Sequence, residues 1–360
     1  MKIYFIFLLF LFGTCVSGFS QDILYKVGLH NFFDNNEFAK CPVGDSQTMA
    51  GVHFVPQIGL GLDSAHRILV GADVMHEYGS AKAIGYSDPI AYYEYTGKAF
   101  RFNMGAFPRT MALDKYPLFF FQDSIRNYRP IMTGLFWEFS PKAGDYLNVW
   151  LDWTSRQTFT KHEAFFMGWS GRYNRNIFYG QHFGYMYHFA ANANPDDHTP
   201  VHDNGKIWTA LGIDLASKTP MNELSFNAGW AVGLERDRTS IGSWYVMQGL
   251  LSELRAEYRG IGIFNTFYRG ASQDKFYEEY RSQLYWGDRL YRAASYDRLD
   301  GYAYLMKTGN VTLKFIFSLH FVGSGMYSEQ QFYAAFDLDN LKNKKSNKKY
   351  QYLWDRWLSK

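Results

Sequence analysis

The chain has 360 residues, of which 47% are hydrophobic, 19% aromatic and 20% charged, with a formal net charge of +3 and a mean hydropathy of −0.30. That apolar fraction excludes an intrinsically disordered chain, and two cysteines exclude a disulfide-stapled scaffold. A bundle of membrane helices needs several apolar runs of about 20 residues, and none follows Phe12. What remains is a β protein, either soluble or a membrane barrel whose apolar and polar residues alternate and cancel in the average.

The chain opens with Met1-Lys2, an apolar stretch from Ile3 to Phe12 and small residues ending Gly18-Phe19-Ser20. A charged start, a short apolar core and a small-x-small exit are the three regions of a secretory signal peptide. Residues 1–20 therefore predict export, with Gln21 as the first mature residue. Cys15 leaves with the signal, and a lipoprotein reading there fits poorly because Gly13-Thr14 precede it. The mature chain keeps Cys41 alone and forms no internal disulfide.

From Gln21 onward several segments alternate with a period of two, which puts one set of residues on each face of a strand. Ile68, Val70, Ala72 and Val74 oppose Arg67, Gly71, Asp73 and Glu77. Leu147, Val149, Leu151 and Trp153 oppose Asn148, Trp150, Asp152 and Thr154. Leu224, Phe226, Ala228, Trp230, Val232 and Leu234 form one apolar face, and Val311, Leu313, Phe315, Phe317, Leu319 and Phe321 another. Runs of about ten such residues cross a bilayer at a tilt, whereas strands of soluble sandwiches usually have about 5–6.

Breaks between these runs fall near 34–48, 63–65, 79–88, 97–98, 108–130, 140–144, 157–161, 173–176, 191–205, 217–221, 236–243, Gly260, 271–290, 307–309 and 323–328. Long and short breaks alternate, as extracellular loops and periplasmic turns do in a membrane barrel. The pattern predicts an all-β, closed antiparallel up-and-down transmembrane barrel over 21–340, with about sixteen strands and a range of 14–18. Both ends then lie on the turn side. Tyr78, Tyr92, Tyr93, Tyr95, Trp153, Trp169, Tyr185, Tyr187, Trp244 and Tyr258 fall near strand ends, where an aromatic girdle meets lipid headgroups.

With these features the chain resembles the porin-like β-barrels of Gram-negative outer membranes, particularly the aromatic-rich ones of Bacteroidota. Locally, Arg101-Phe-Asn-Met-Gly-Ala-Phe-Pro-Arg109 looks like the passage from strand to the long third loop of a porin. The resemblance implies closure, outer-membrane lipid as surroundings, passage of small hydrophilic solutes by diffusion, and a homotrimer. One departure stands out: such barrels usually end at an aromatic residue of the last strand, whereas Tyr333-Ala-Ala-Phe336-Asp-Leu338 is followed by more chain.

The loop from Pro108 to Pro130 carries Arg109, Asp114, Lys115, Asp123, Arg126 and Arg129 around the apolar run Leu118–Phe121. An outward loop would expose that run to water; a loop folded inward would hide it and aim its charges at the lumen. Arg101, Asp73, Glu77, Asp152, Glu253 and Arg255 join it as expected pore-lining or constriction residues. Glu138, Asp214, Glu257, Arg259 and Lys314 are further inward charges on the same alternation.

Asp196, Asp197, His198, His202 and Asp203 invite a metal reading, but Pro200 opposes the helix that the His198–His202 spacing needs. A solvated loop is the expectation. Ser318 and His320 share the polar face of one strand, and His182 and His188 that of another. Outer-membrane lipid hydrolases use such groups on their lipid-facing side, yet no Gly-x-Ser-x-Gly elbow occurs. The expectation is therefore a channel without enzymatic activity, cofactor or metal. The alternatives are a plugged barrel whose extracellular loops bind a ligand or partner and, after it, a secreted β-sandwich binding protein or a barrel lipid hydrolase.

Residues 341–360 hold seven basic side chains and one Asp, a net +6; with Lys2 also set aside, the whole-chain +3 leaves −4 on residues 21–340. Tyr350, Leu353, Trp354, Trp357 and Leu358 follow the spacing of an amphipathic helix, for a basic periplasmic tail. Positive charge confined to that run argues against nucleic acid as a partner.

Overall fold

The computed structural model describes residues 22–238, 243–341 and Tyr352. The expected signal peptide and the amphipathic tail lie outside them, apart from Tyr352, whose hydroxyl donates to Lys307 O at 3.1 Å.

Sixteen antiparallel strands close into one barrel. They are β1 Asp22–Glu37, β2 Gln47–Gly61, β3 His66–Glu77, β4 Tyr86–Thr96, β5 Phe100–Pro108, β6 Ile131–Phe139, β7 Tyr146–Ser155 and β8 Ala164–Arg175, followed by β9 Phe178–Phe189, β10 His202–Asp214, β11 Glu223–Asp237, β12 Tyr245–Tyr258, β13 Ile261–Gly270, β14 Ser295–Lys307, β15 Val311–Val322 and β16 Gly325–Asp339. Each pairs with its neighbours in sequence, and β1 closes on β16 in a register that sets Lys26 opposite Asp339 and Phe32 opposite Tyr333. Closure removes the unpaired edge that hydrocarbon does not tolerate.

Side-chain alternation decides which face each residue takes. Ile68, Val70, Leu147, Val149, Phe226, Trp230, Phe315 and Phe317 point outward and are exposed, while Asp73, Asn148, Asp152, Asn227 and Ser318 point inward and are buried. Among the described strand residues, Asp, Glu, Lys and Arg occur on the outward face only near strand ends. Three aromatics expected in the girdle are corrections: Tyr92, Tyr185 and Tyr187 face inward and are buried. Arg259, expected on an inward face, lies instead in the tight turn after β12 with φ 51°.

Longer loops at one end alternate with shorter turns at the other, with two exceptions. The eight loops, L1 to L8, cover residues 38–46, 78–85, 109–130, 156–163, 190–201, 238–244, 271–294 and 323–324. The exceptions are L8, which has two residues, and the turn at 215–222, which is as long as L2 and L4. L3 carries two short helices, α1 Thr110–Leu113 and α2 Asp123–Tyr128, and L7 carries α3 Tyr277–Tyr280.

L3 and L7 turn into the lumen and fill its loop half. Phe119 and Phe120 are fully buried, and Phe121 packs against Trp150, Phe166 and Tyr185 of the wall. From L7, Trp286 packs edge-on against Phe166 at 4.8 Å and Tyr291 against Phe119 at 5.2 Å. Each such ring contributes about 2–3 kcal/mol by leaving water. The two loops also pair through their backbones: Gln122 N donates to Trp286 O and Asp288 N to Leu118 O, both at 2.8 Å. Lys206 of β10 reaches up to bind both loops, its Nζ 2.8 Å from Asp274 and 3.2 Å from Phe119 O.

Candidate functional site

The plug divides the interior. Toward the turns lies a vestibule of about 1410 Å³, and toward the loops a cavity of about 420 Å³; Leu118, Asp123 and Arg298 line both and form the partition.

The expected constriction residues all reach the interior, but most are tied into separate pairs. Arg109 donates to Asp152 and, through Nε, to Arg129 O at 2.6 Å, and Arg109 and Arg129 both stack on Trp286. Arg101 and Lys115 flank Glu138 at 3.7 and 3.1 Å, and Asp114 pairs with Arg126 at 3.3 Å. Asp73 holds His53 Nδ1 at 2.7 Å, Glu77 accepts from Tyr128, and Glu253 lies 3.8 Å from Arg255. Asp123 alone of this set enters the denser cluster described next.

That cluster forms the floor of the loop-side cavity. Alternation brings Asp34 of β1, Arg298 and Asp300 of β14, Ser318 and His320 of β15, and Glu329 and Gln331 of β16 to one inward face near the loop ends. His320 Nε2 lies 3.0 Å from Glu329, and its Nδ1 lies 2.9 Å from the hydroxyl of Tyr296, whose ring stacks on it. A proton on Nε2 facing the carboxylate leaves Nδ1 as the basic nitrogen. Tyr296 has a second acceptor, Asp288 of L7, at 3.1 Å. Burial pushes the Asp288 carboxyl above its ordinary range.

Arg298 joins the carboxylates. It donates from Nε to Asp300 at 2.7 Å and lies 3.5 Å from Asp123 and 3.4 Å from Glu329. Gln331 Nε2 contacts Asp34 and Asp123 at 3.2 Å and Glu329 at 3.0 Å, while Asp34 Oδ1 is buried without a partner. Asp34, Asp123, Asp288, Asp300 and Glu329 thus surround one guanidinium and one imidazole. Sequence reading found Ser318, His320 and Asp123 but missed the rest, because their partners lie far apart in the chain. The alternation Tyr296-x-Arg298-x-Asp300 was the available signal.

The residues that invited a metal reading do not converge. His202 faces inward against Phe276 and Tyr280, whereas Asp203 faces outward against His188, Arg236 and Arg238. His182 and His188, expected on an inward polar face, also point outward. Asp197 instead ties L5 together. Its hydrogen bonds with Thr199 and Asn192, and His162 at 3.3 Å, lower its carboxyl from 3.8 to about 2. A carboxyl depressed on folding stabilises above its unfolded value, so this contribution is present above about pH 4 and lost as pH falls toward about 2. Pepsin is expected to cut between residues 190 and 201 readily at about pH 2 and poorly at about pH 4; equal cutting at both refutes the assignment.

A family model described as lipid A 3'-O-deacylase-type matches residues 17–353. The chain belongs to that family. This overturns the expectation of a barrel without enzymatic activity, which rested on the missing serine elbow, for the family is one of enzymes. No curated protein matches the chain. Among solved structures, the loop L8 deletion mutant of OmpT, an outer membrane protein of Vibrio cholerae, aligns with TM-score 0.54 at 7% identity, covering 89% of this chain and 100% of that one. Pseudomonas aeruginosa OprD aligns with TM-score 0.50 at 11% identity, over 89% of this chain and 96% of that one. OccK11 (OpdR) of the same organism gives 0.50 at 10%, over 88% and 96%. These likenesses carry the fold: the family member is a sixteen-stranded outer-membrane barrel.

Proposed function

We propose that this barrel is an outer-membrane lipid hydrolase that removes an ester-linked acyl chain from a lipid A-type glycolipid, in the cavity under L1 and L7. The observation that carries the reading is His320, held between Glu329 and Tyr296 in a cavity at the loop end, in a chain of a deacylase-type family. Loops of outer-membrane barrels face outward, which is the side where such a lipid presents its headgroup.

His320 is the general base in this reading, and Glu329 positions it. A water entering between His320 and Tyr296, with the phenol turned to Asp288, loses a proton to Nδ1. The resulting hydroxide adds to the ester carbonyl carbon, the acyl C–O bond breaks, and the departing alkoxide takes the proton back. The products are a free fatty acid and a sugar hydroxyl. No serine nucleophile is needed, so the absence of an elbow is no obstacle.

Purified barrel mixed with lipid A in detergent, followed by mass spectrometry, tests the reading. Wild type is expected to release one acyl chain, and His320→Ala to do so about 100-fold more slowly. His53→Ala, which removes the His–Asp pair of the vestibule, serves as the control and is expected to stay within a few-fold. No release by wild type, or full activity in His320→Ala, overturns the assignment.

A second reading, a diffusive channel, is supported by the wide vestibule that opens at the turn side. Steady ion conductance of the wild-type protein in planar bilayers is its test, and a protein silent at every voltage sinks it.

A further inference from the structure

On the outward face near the loop ends of β9, β10 and β11, four polar side chains gather where lipid-facing residues are expected. Asp203 and Arg236 are directly opposed cross-strand partners, as are Asp203 and His188. Asp203 accepts from Arg236 at 2.9 Å, from Arg238 through Nε at 2.7 Å and through Nη2 at 2.9 Å, and faces His188 Nδ1 at 2.9 Å. One carboxylate holds two guanidiniums in place and neutralises only one of them. Arg238 remains half exposed, and Arg236 Nε is shielded from water with no partner among the described residues. Trp244 stacks on Arg236 at 4.8 Å, and Phe165 and Trp153 continue the aromatic face past His188. Below the cluster, Leu234, Val232 and Ile207 return to the apolar wall.

We infer that Arg236 and Arg238, oriented by Asp203, form a site on the outer wall for the phosphate of a membrane-lipid headgroup. The surplus positive charge, the exposure of Arg238 and the position at the boundary between apolar wall and loops all fit a phosphate rather than an acyl chain or a neutral sugar. This site does not belong to the His320 cavity: it lies on the outside of the wall, and β12 and β13 separate it from β14. Its role is to hold a lipid against the barrel.

Native mass spectrometry of the full chain released from nanodiscs that contain bisphosphorylated lipid A tests the inference, and reads retention rather than hydrolysis. Wild type is expected to keep one such lipid in preference to dephosphorylated lipid A. The double variant Arg236→Gln/Arg238→Gln is expected to retain it about tenfold less, while Arg255→Gln in the lumen, with Arg236 and Arg238 intact, retains it as wild type does. Heat-modifiable migration on gels reports that each variant is folded, and Asp203→Asn, which frees the arginines from their anchor, is expected to weaken retention too. Equal retention by wild type and the double variant, indifference to the phosphates, or displacement by inorganic phosphate at millimolar concentration each overturns the proposal.

Discussion

Gly287→Ala is expected to unseat the plug and open a continuous path through the barrel. A Cβ at Gly287 would sit 2.4 Å from Phe119 O and 2.9 Å from Lys206 Nζ, closer than real Cβ atoms approach. The carbonyl has little room to give, because the two backbone hydrogen bonds between L3 and L7 lie on either side of the contact, at Trp286 and Asp288. Forcing in one methyl group costs about 1–3 kcal/mol, and here the cost falls on the backbone contact between the two loops. L7 then separates from L3, and the partition of Leu118, Asp123 and Arg298 loses its cover. Single-channel recording should find larger and noisier conductance than in wild type, and Trp286 fluorescence should shift red as the ring meets water. A variant with wild-type current and emission means that L3 and L7 do not depend on that close approach.

The plug marks where sequence reading stopped. Strand faces were legible because alternation is local: Leu224 to Leu234 and Val311 to Phe321 sort themselves without knowledge of any partner. Loop and turn lengths gave the strand count by the same local logic. The apolar run Leu118–Phe121 signalled an inward loop, since water would not tolerate it outside. What remained hidden was that L7, from the far side of the chain, would meet it. Nothing local in Trp286-Gly287-Asp288 announces a backbone partner more than 160 residues earlier. The candidate site was hidden for the same reason. Asp34 and Glu329 stand on the first and last strands and meet only when the barrel closes. The three misplaced girdle residues share a simpler cause: Tyr92, Tyr185 and Tyr187 read as interfacial from their type and position, but a plugged lumen also demands large rings.

Arg298→Met should be among the most destabilising single changes in the barrel. Arg298 is 5% exposed and is the only guanidinium in contact with Asp123, Asp300 and Glu329 among the described residues. Removing it leaves Asp123 and Glu329 to Gln331 and His320 and takes from Asp300 its paired cation, at a cost of about 3–5 kcal/mol. The size of that number reflects uncompensated charge rather than lost attraction, since a buried ion network replaced whole by neutral groups of like volume is often neutral in stability. The quadruple variant Arg298→Met/Asp123→Asn/Asp300→Asn/Glu329→Gln is therefore expected to recover most of the loss in urea-induced unfolding from micelles, although His320 would then lack its orienting carboxylate and hydrolysis would stay low. Recovery of stability without recovery of activity separates the two roles of the cluster. If Arg298→Met unfolds at the wild-type urea concentration, the carboxylates do not rely on this cation for the stability of the barrel.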